Sequence, residues 1–315
     1  IELVRMVFNG INNNKIQGLT CLKSNASNTI RIGPCVTPID EHSILSNVES
    51  FSETLNSMGF NIYLTLHYSD TWADPGQQII PQDWHNIPYS DLKDKVYNYT
   101  KMVVEQINPE IIQIGNEINN GFLHPEGHRY SEPSQFLELL NEGIQAVRDH
   151  STGETEIMLH YAGHQGSDVF FNLVKDLDYD IIGLSYYPIW HGKSFSQLEQ
   201  NLTQLSVLYN KKLMIAETAY PFTLGWNDWT NNIVGLEDQL ILPDFPATPQ
   251  GQKEFVQQRK AMMKDVEGGI GLSYWGAELV AWNGEESTAG APWENQAWCD
   301  GNNQEHRVVD VLERP

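Results

Sequence analysis

The sequence predicts an α/β protein whose strands close into a (β/α)8 barrel. Short apolar runs alternate with amphipathic helical patterns along the chain, and this alternation is typical of a parallel sheet. Seven convincing strands and an eighth candidate near residues 2–8 make up the strand number of a closed barrel. Long loops rich in Trp, Tyr, Pro and Gly follow several strands, as is usual on the face of a barrel that carries function.

Strands are predicted where short runs of apolar residues occur. After the first strand, they are expected at residues 28–33, 61–67, 110–117, 156–163, 180–188, 212–221 and 269–276. Helices are predicted by apolar residues at helical spacing, at residues 43–59, 90–107, 133–150, 167–177, 194–209 and 249–267. A doubly wound open sheet is the alternative, but no Gly-rich phosphate loop follows the first strands. No linker divides the pattern, so a single barrel domain is expected over residues 1–315.

The chain is strongly acidic, with 19 basic and 41 acidic residues and a formal net charge of −22. Such a surface repels nucleic acids and anionic membranes, so a neutral partner or substrate is favoured. No segment approaches the roughly 18 apolar residues of a membrane span, and no signal peptide is visible at the N-terminus. A mature secreted chain has the same appearance. The cysteines Cys21, Cys35 and Cys299 form neither a disulfide framework nor a metal-binding spacing.

Two glutamates stand where a barrel places its active site, at the carboxyl ends of the strands. Glu117 ends the predicted fourth strand, within IIQIGNEI (111–118), and Glu217 ends the seventh. A lone carboxylate at a strand end is usually solvated or salt-bridged, but two that face each other across the mouth suit glycoside hydrolysis. In that reaction one carboxylic acid protonates the leaving oxygen, and a second carboxylate attacks or activates water. Asn116 stands beside Glu117, and polar and aromatic side chains stand at the other strand ends: Arg31, His67, Asp70, His160, Tyr187 and Trp275.

The two carboxyl groups need opposite protonation states. Glu117 must carry a proton to act as the acid, so its pKa is expected to be raised, partly by the charge of Glu217. Glu217 must stay ionised, which a nearby Arg31 favours. No G-x-S-x-G elbow is present, and His67 with Asp70 lacks a third metal ligand. For several residues a structural role stays open, either as hydrogen-bonded histidines or as anchors of long loops: His67, His160, Trp72, Trp84 and Trp190.

Five longer segments carry a family resemblance: LHYSDTWADPGQQIIPQDW (66–84), IQIGNEINNGFL (112–123), HYAGHQ (160–165), GLSYYPIWHG (183–192) and AETAYPFT (216–223). In sequence and in order they resemble the endo-β-1,4-galactanases of glycoside hydrolase family 53. That family belongs to the clan of (β/α)8 barrels with glutamates on strands 4 and 7. The resemblance extends over roughly residues 28–300. It implies internal cleavage of β-1,4-galactan, a neutral side chain of pectin found in type I arabinogalactan, by a retaining double displacement.

The resemblance also implies roles for individual residues. Glu117 would be the general acid/base, and Glu217 would be the nucleophile. Asn116 would contact the 2-hydroxyl of the sugar being cleaved, and Arg31 would orient Glu217. The other substrate-binding candidates are His67, Asp70, Trp72, Trp84, His160, Tyr187, Trp190 and Trp275. No cofactor is implied for the chemistry, and the enzyme is expected to be a secreted or cell-surface monomer.

A loop after the seventh strand, GWNDWTNN (225–232), lies where some relatives hold a structural calcium ion. Asp228 and Asn232 offer side-chain oxygens, and a backbone carbonyl near Thr230 could add a third. Calcium needs about six to eight oxygen ligands, so water and other loops would have to contribute. A polar loop without a metal is the alternative.

The first 36 residues depart from the family pattern. Gly33 and Cys35 stand where the relatives carry an arginine and a tryptophan, and a strand places both on the same face as Arg31. Gly33 is therefore expected to leave a gap in the barrel mouth, which Gly33→Arg together with Cys35→Trp would fill. Two other functions stay open: a catalytically weak galactan-binding barrel, and a related glycosidase that acts on another β-linked polysaccharide such as mannan or xylan.

Overall fold

A closed barrel of eight parallel strands forms the centre of the protein, and it confirms the predicted fold class. The computed structural model describes residues 2–5, 28–38 and 41–298. Its strands are β1 (Glu2–Arg5), β2 (Thr29–Ile32), β3 (Asn61–Leu66), β4 (Ile111–Ile114), β5 (Glu156–Ala162), β6 (Ile181–Ser185), β7 (Lys212–Thr218) and β8 (Gly269–Tyr274). Because β1 pairs with both β2 and β8, the described sheet has no open edge.

Helices surround the barrel between successive strands. They are α1 (Leu45–Ser57), α2 (Tyr89–Ile107), α3 (Pro133–His150), α4 (Ser167–Val174), α5 (Pro188–His191), α6 (Phe195–Tyr209) and α7 (Pro249–Asp265). All six predicted helices are present within three residues of their expected bounds, and the structure adds the short α5. Their ends follow local chemistry: Thr248 caps α7 by accepting the Gly251 N–H at 3.0 Å, and α6 stops at Asn210 in a left-handed conformation.

The interior of the barrel changes character along its axis. Its lower layer is apolar and consists of Tyr63, Ile111, Met158, Ile181, Met214 and Ala216. On β3, β4 and β5 the side chains two residues further along, on the same face, are polar. Thr65 follows Tyr63, Gln113 follows Ile111, and His160 follows Met158, each of the three polar residues being fully buried. The end of the barrel that carries the predicted site therefore has a polar inner layer beneath it.

Two sequence expectations concern the surroundings of the barrel. None of the helices in the described part of the chain is both long enough and apolar enough to cross a membrane. Cys35 is buried, whereas Cys21, Cys299 and residues 6–8 of the predicted first strand lie outside the described residues.

The expected gap at Gly33 is wrong, because strand β3 fills the space. A Cβ atom on Gly33 would lie 2.5 Å from the backbone carbonyl oxygen of Thr65. Real Cβ atoms do not approach a carbonyl oxygen so closely, and this one belongs to the neighbouring strand. Cys35 is also part of a packed segment, since its N–H donates to the carbonyl of Ser43 at 2.9 Å. The structure thus leaves no gap at Gly33 and gives both Gly33 and Cys35 places in packed backbone.

Gly33→Ala is expected to lower the free energy of unfolding by about 1–3 kcal/mol, because a backbone carbonyl must move to admit the methyl group. Urea unfolding measures the loss. The matched control is Gly153→Ala, since no atom lies within 4 Å of the Cβ that it adds. Equal stabilities for the two variants would contradict the close contact between β2 and β3. For the same reason Gly33→Arg should impair folding rather than restore activity, whether or not Cys35→Trp accompanies it.

Candidate active site

Glu217 lies near the end of β7, and donors hold both of its carboxylate oxygens. Arg31 Nη1 is 2.5 Å from Glu217 Oε1, and the Tyr187 hydroxyl donates to Oε2 at 3.0 Å. The carboxylate is largely buried, with 7% of its side chain exposed. Charge-assisted hydrogen bonds of this kind fix both the position and the ionised form of a carboxylate. Glu217 is therefore oriented as a nucleophile requires.

Arg31 is fully buried in the polar inner layer and contacts side chains at three other strands, β3, β4 and β7. Besides Glu217, it donates from Nε to Thr65 Oγ1 at 2.7 Å. From Nη2 it donates to Gln113 Oε1 at 3.0 Å and to Asn116 Oδ1 at 2.7 Å. A buried guanidinium is tolerated only when such partners replace its hydration. The predicted role of Arg31, to orient Glu217, agrees with this geometry.

Glu117 follows β4 on a sharply turned backbone. The strand ends at Ile114, earlier than predicted, because Gly115 (φ 76°) and Glu117 (φ 49°) both adopt left-handed conformations. For a residue other than glycine this conformation costs about 1–2 kcal/mol. Neighbouring groups hold it in place: Gln78 Nε2 donates to the Asn116 carbonyl at 2.8 Å, and the Ile118 N–H donates to a carbonyl of β5 at 3.1 Å. Strain at this point favours a functional role for Glu117.

The surroundings of Glu117 favour its protonated form. Burial is the largest cause and the negative charge of Glu217 is the second, and together they raise the pKa of Glu117 to about 8. Asp74 adds a further negative charge nearby. At neutral pH Glu117 therefore carries a proton, while Glu217 is ion-paired with Arg31. These are the protonation states that the acid and the nucleophile need in glycoside hydrolysis.

A cleft of about 510 Å³ opens above the two glutamates and is lined by tryptophans. Trp72 contacts Trp275 with ring centroids 5.7 Å apart, and Trp275 contacts Trp293 at 6.1 Å. Trp293 in turn contacts Trp190 at 6.0 Å, and Trp190 is half exposed. These indole rings form a continuous wall. Such a wall suits the apolar faces of sugar rings better than it suits a charged ligand.

Most of the predicted site residues meet in this cleft. Those that line it are Glu117, Glu217, Trp72, Asn116, Tyr187, Trp190 and Trp275. Asn116 also has a fixed orientation, because its Nδ2 donates to the carbonyl of Ala73 at 2.8 Å.

The two predicted histidines lie behind the cleft surface, so the expectation that they contact substrate directly is corrected. His67 is 2% exposed and supports Trp72, with ring centroids 4.7 Å apart. His160 is 0% exposed, with Nδ1 3.1 Å from Asn116 Oδ1 and Nε2 2.9 Å from Ser185 Oγ. Both rings are covered by the residues that they support.

Asp70 and Trp84 are also corrected, because neither reaches the cleft. The Asp70 carboxylate accepts the backbone N–H groups of Thr37 at 2.9 Å and Gln82 at 2.8 Å. It therefore joins the loops that follow β2 and β3. Trp84 is 5% exposed and packs edge to face against Tyr99, with centroids 5.9 Å apart, in the apolar core. It anchors its loop, which is the alternative that the sequence left open.

Sequence reasoning missed several residues of the site. Gln113 was visible as a lone polar residue in an apolar strand, which is a signal of a buried hydrogen-bonding role. Ser185 carried no such signal, yet it is hydrogen-bonded to Glu117. His191 lines the cleft, and its Nδ1 accepts the Tyr187 N–H at 3.0 Å, which leaves Nε2–H as a donor. Burial, and to a lesser degree His164, lower the pKa of His191 to about 4, so it is neutral. Trp293 was not singled out either.

A parallel eight-stranded barrel with a protonated and an ion-paired glutamate in an aromatic cleft defines the protein as a glycoside hydrolase. The family model described as "Glycosyl hydrolase family 53" matches residues 1–312, and the chain belongs to this family. The resemblance seen in the sequence is thereby confirmed.

Related proteins extend along most of the chain. The arabinogalactan endo-β-1,4-galactanase of Cellvibrio japonicus (strain Ueda107) is 34% identical over 288 residues, which cover 86% of this chain and 76% of that protein. The solved Ignisphaera aggregans GH53 catalytic domain is 32% identical to this chain, with a TM-score of 0.86. The match covers 99% of this chain and 90% of that domain's chain. A solved structure of fungal β-1,4-galactanases is 25% identical to this chain, with a TM-score of 0.80. The match covers 100% of this chain and 94% of the fungal chain.

Glu117→Gln is expected to stabilise the protein at alkaline pH but not near pH 4. The native carboxyl keeps its proton up to about pH 8, whereas a carboxyl of ordinary pKa, 4.5, loses it when the chain unfolds. The native state thus binds more protons than the unfolded state between these values, so wild-type stability falls as pH rises through this window. Glutamine does not ionise and escapes that loss. Calorimetric Tm values should diverge from about pH 5 to pH 8; a constant difference would contradict the raised pKa.

Proposed function

We propose that this enzyme is an endo-β-1,4-galactanase that cleaves galactan by double displacement with retention of configuration. The observation that carries the proposal is the opposite protonation of Glu117 and Glu217 within one tryptophan-lined cleft. The substrate is supported by family relatives that are named arabinogalactan endo-β-1,4-galactanases. A neutral polysaccharide also suits a chain whose formal net charge is −22.

In the first step, Glu217 attacks the anomeric carbon of the sugar above it. Arg31 and Tyr187 hold its two oxygens, so the attacking lone pair is directed into the cleft. Glu117 gives its proton to the glycosidic oxygen as the bond to the anomeric carbon breaks. The product is a galactosyl ester of Glu217 and a free chain end.

In the second step, Glu117 acts as a base. Once Glu217 is esterified its negative charge is gone, and with it the second-largest cause of the raised Glu117 pKa. Glu117 then takes a proton from water as the water oxygen attacks the ester carbon. The second inversion restores the original configuration, and Glu217 becomes ionised again beside Arg31.

We further infer that the enzyme works as a monomeric catalytic domain outside the cell, where a polysaccharide of this size is encountered. No cofactor enters either step, since the two glutamates supply the nucleophile and the proton.

The loop after β7 supports a proposal of structural calcium. Three buried oxygens, two in this loop and one in the segment after β8, accept no hydrogen bond within the described residues: Asp228 Oδ2, Asn232 Oδ1 and Glu294 Oε2. Burial and then the nearby charge of Asp228 raise the pKa of Glu294, as expected when two carboxyl groups share a site without a cation. No cluster of three or more His, Cys, Asp or Glu side chains that could hold a metal occurs among the described residues. Amide, backbone and water oxygens would therefore complete a calcium shell.

A panel of polysaccharides with product analysis tests the proposed activity. Galactan should release internal fragments of mixed length from the first minutes, because an endo-acting enzyme cuts within the chain. Mannan and xylan should release little. Preferential hydrolysis of either would replace galactan with another β-linked substrate, and binding of galactan without any release of reducing ends would leave only a binding protein.

Two variants separate the roles of the glutamates in the same assay. Glu217→Ala should lose at least about 1,000-fold in kcat on every substrate, because no nucleophile remains. Glu117→Ala should lose a similar factor on galactan but form the glycosyl-enzyme readily from an aryl galactoside with a good leaving group, which needs no acid. A burst of released phenol in Glu117→Ala is the expected sign. Near-wild-type turnover by Glu217→Ala would refute the assignment.

Removal of calcium is expected to lower Tm by several degrees, since a site saturated about 100-fold above its Kd contributes about 2.7 kcal/mol. Tm would be compared in calcium and after chelation, with metal content measured in both samples. Asp228→Asn is the matched variant, because it keeps the shape of the side chain and should abolish the response to chelation. Identical Tm values for metal-free and calcium-loaded wild type would exclude a structural calcium ion.

A further inference from the structure

We propose that the carboxylate of Asp74 binds a hydroxyl group of the leaving sugar, beside the bond that the enzyme cleaves. The inference rests on the proposed function and deepens it, because it assigns one side of the cleft to the sugar that departs. Asp74 lies on the loop after β3 and lines the cleft together with Glu117. Neither chemical step uses its carboxylate, so its role is to bind substrate.

A short turn holds Asp74 in a fixed direction. The Asp74 N–H donates to the carbonyl of Gln77 at 3.1 Å, and the Gln77 N–H donates to the carbonyl of Asp74 at 3.0 Å. Within the turn, the Gly76 N–H donates to Asp74 Oδ1 at 2.7 Å. From outside it, Asn120 Nδ2 donates to the carbonyl of Pro75 at 3.4 Å. Because Oδ1 anchors the side chain to the turn, the second oxygen, Oδ2, is held in place and left for a ligand.

The same turn is joined to the segment that carries the acid. Asn116 Nδ2 donates to the carbonyl of Ala73 at 2.8 Å. Asn116 directly precedes Glu117, and Ala73 directly precedes Asp74, so the two carboxyl groups project from neighbouring stretches of backbone. The negative charge of Asp74 also acts on Glu117, where it opposes ionisation and raises the pKa. Asp74 therefore lies on the side of the cleft that carries the acid.

The nucleophile is associated with the other end of the tryptophan wall. The contacts of the wall begin at Trp72, two residues before Asp74, and end at Trp190. Tyr187, which donates to Glu217, packs against Trp190 with ring centroids 5.2 Å apart. One side of the cleft thus carries Asp74 and the acid, and the other carries the nucleophile and its tyrosine.

The chemistry of the first step assigns the leaving sugar to the side of the acid. Glu117 gives its proton to the glycosidic oxygen, and this oxygen departs with the leaving sugar. Glu217 attacks the anomeric carbon of the other sugar, which stays on the enzyme as an ester. When the bond breaks, the leaving sugar is therefore beside Glu117, on the side of the cleft that Asp74 lines.

The free oxygen of Asp74 fits a hydroxyl donor. Among the described residues no donor reaches Asp74 Oδ2, and none of their ion pairs includes Asp74. A sugar that enters the cleft displaces water from this oxygen, and the lost hydration must be replaced by another hydrogen bond. A hydroxyl group replaces it well, because hydrogen bonds to an ionised acceptor are stronger than those between neutral groups. A leaving sugar with a carboxylate of its own would be repelled.

Capture of the glycosyl-enzyme by added acceptors tests this contact. An aryl galactoside forms the galactosyl ester of Glu217, which then reacts with water or with added β-1,4-galactobiose. In the transfer, a galactobiose hydroxyl oxygen attacks the anomeric carbon, Glu117 takes its proton and Glu217 departs as a carboxylate. Both routes start from one ester and use the same base. The ratio of transfer to hydrolysis therefore reports binding of the acceptor, and any effect of Asp74 on the pKa of Glu117 cancels.

Asp74→Asn is the principal variant. Its side-chain oxygen still accepts the Gly76 N–H, so the turn is kept, but an NH2 group that only donates replaces Oδ2. Transfer to galactobiose relative to hydrolysis should fall about 10- to 100-fold, the range expected for a hydrogen bond to a charged group. Transfer to methanol should stay unchanged, because its single hydroxyl is the reacting one and leaves none for Asp74.

Asp83→Asn is the matched control for the loss of charge. It removes a carboxylate from the same loop, where Asp83 Oδ2 accepts from Thr37 Oγ1 at 3.2 Å and does not line the cleft. Its transfer ratios for galactobiose and methanol should equal those of wild type. Unchanged transfer to galactobiose in Asp74→Asn, or an equal loss with both acceptors, would overturn the contact. A wild-type enzyme that transfers to methanol but not to galactobiose would overturn it as well.

The inference and the proposed function fail in different ways. If the polysaccharide panel identifies mannan or xylan as the substrate, the aryl glycoside and the disaccharide of that polymer replace the galactose compounds. A selective loss of transfer to that disaccharide in Asp74→Asn would retain the contact although galactan had been excluded. Cleavage of galactan with wild-type transfer ratios in Asp74→Asn would retain the proposed function and exclude the contact.

Discussion

The buried guanidinium of Arg31 is the interaction on which the site depends. It lies inside the barrel with no exposed surface, and it links β2 to Thr65 on β3, to Gln113 and Asn116 at β4, and to Glu217 on β7. A buried charge is stable only when hydrogen-bonding partners replace its hydration, so Arg31 needs the polar inner layer around it. Glu217 is ionised for the same reason, because the cation beside it needs a counter-charge.

The difference between the two glutamates arises from their places in the backbone. Glu217 lies within β7, where the pairing with β6 and with β8 shifts in register, and its side chain meets Arg31. Glu117 stands beyond the end of β4 on a left-handed turn, so it leaves the strand pattern and is beyond the direct hydrogen bonds of Arg31 within the described residues. Arg31 contacts this side through Asn116 Oδ1, which also lies 3.1 Å from His160 Nδ1. One cation thus holds Glu217 ionised, and burial together with the charge of Glu217 keeps Glu117 protonated.

The sequence could predict the features of the fold and site that depend on a local pattern of residues. Apolar runs and helical periodicity located the strands and helices, and the end of each strand identified both glutamates and Arg31. It could not tell which loop residues turn inward: Asp70 and Trp84 follow a strand as Trp72 does, but the path of the loop sends them to the scaffold and the core. Gly33 was misjudged because its constraint comes from a carbonyl on β3. Ser185 has meaning only beside groups from β4 and β5, which no single segment contains.

The charges at the cleft also bear on the kind of polysaccharide that can bind. Glu217 and Asp74 place negative charge at the reacting sugar, whereas Arg31 is shielded beneath them and faces Glu217. Such a field favours the positive charge that develops on the sugar ring in an oxocarbenium-like transition state. It opposes a substrate that carries carboxylates of its own, and the acidic surface extends that repulsion to longer range. A pectin molecule presents both kinds of chain, an acidic backbone and neutral galactan side chains. The electrostatics of the cleft therefore select the neutral side chains even before any sugar hydroxyl is recognised.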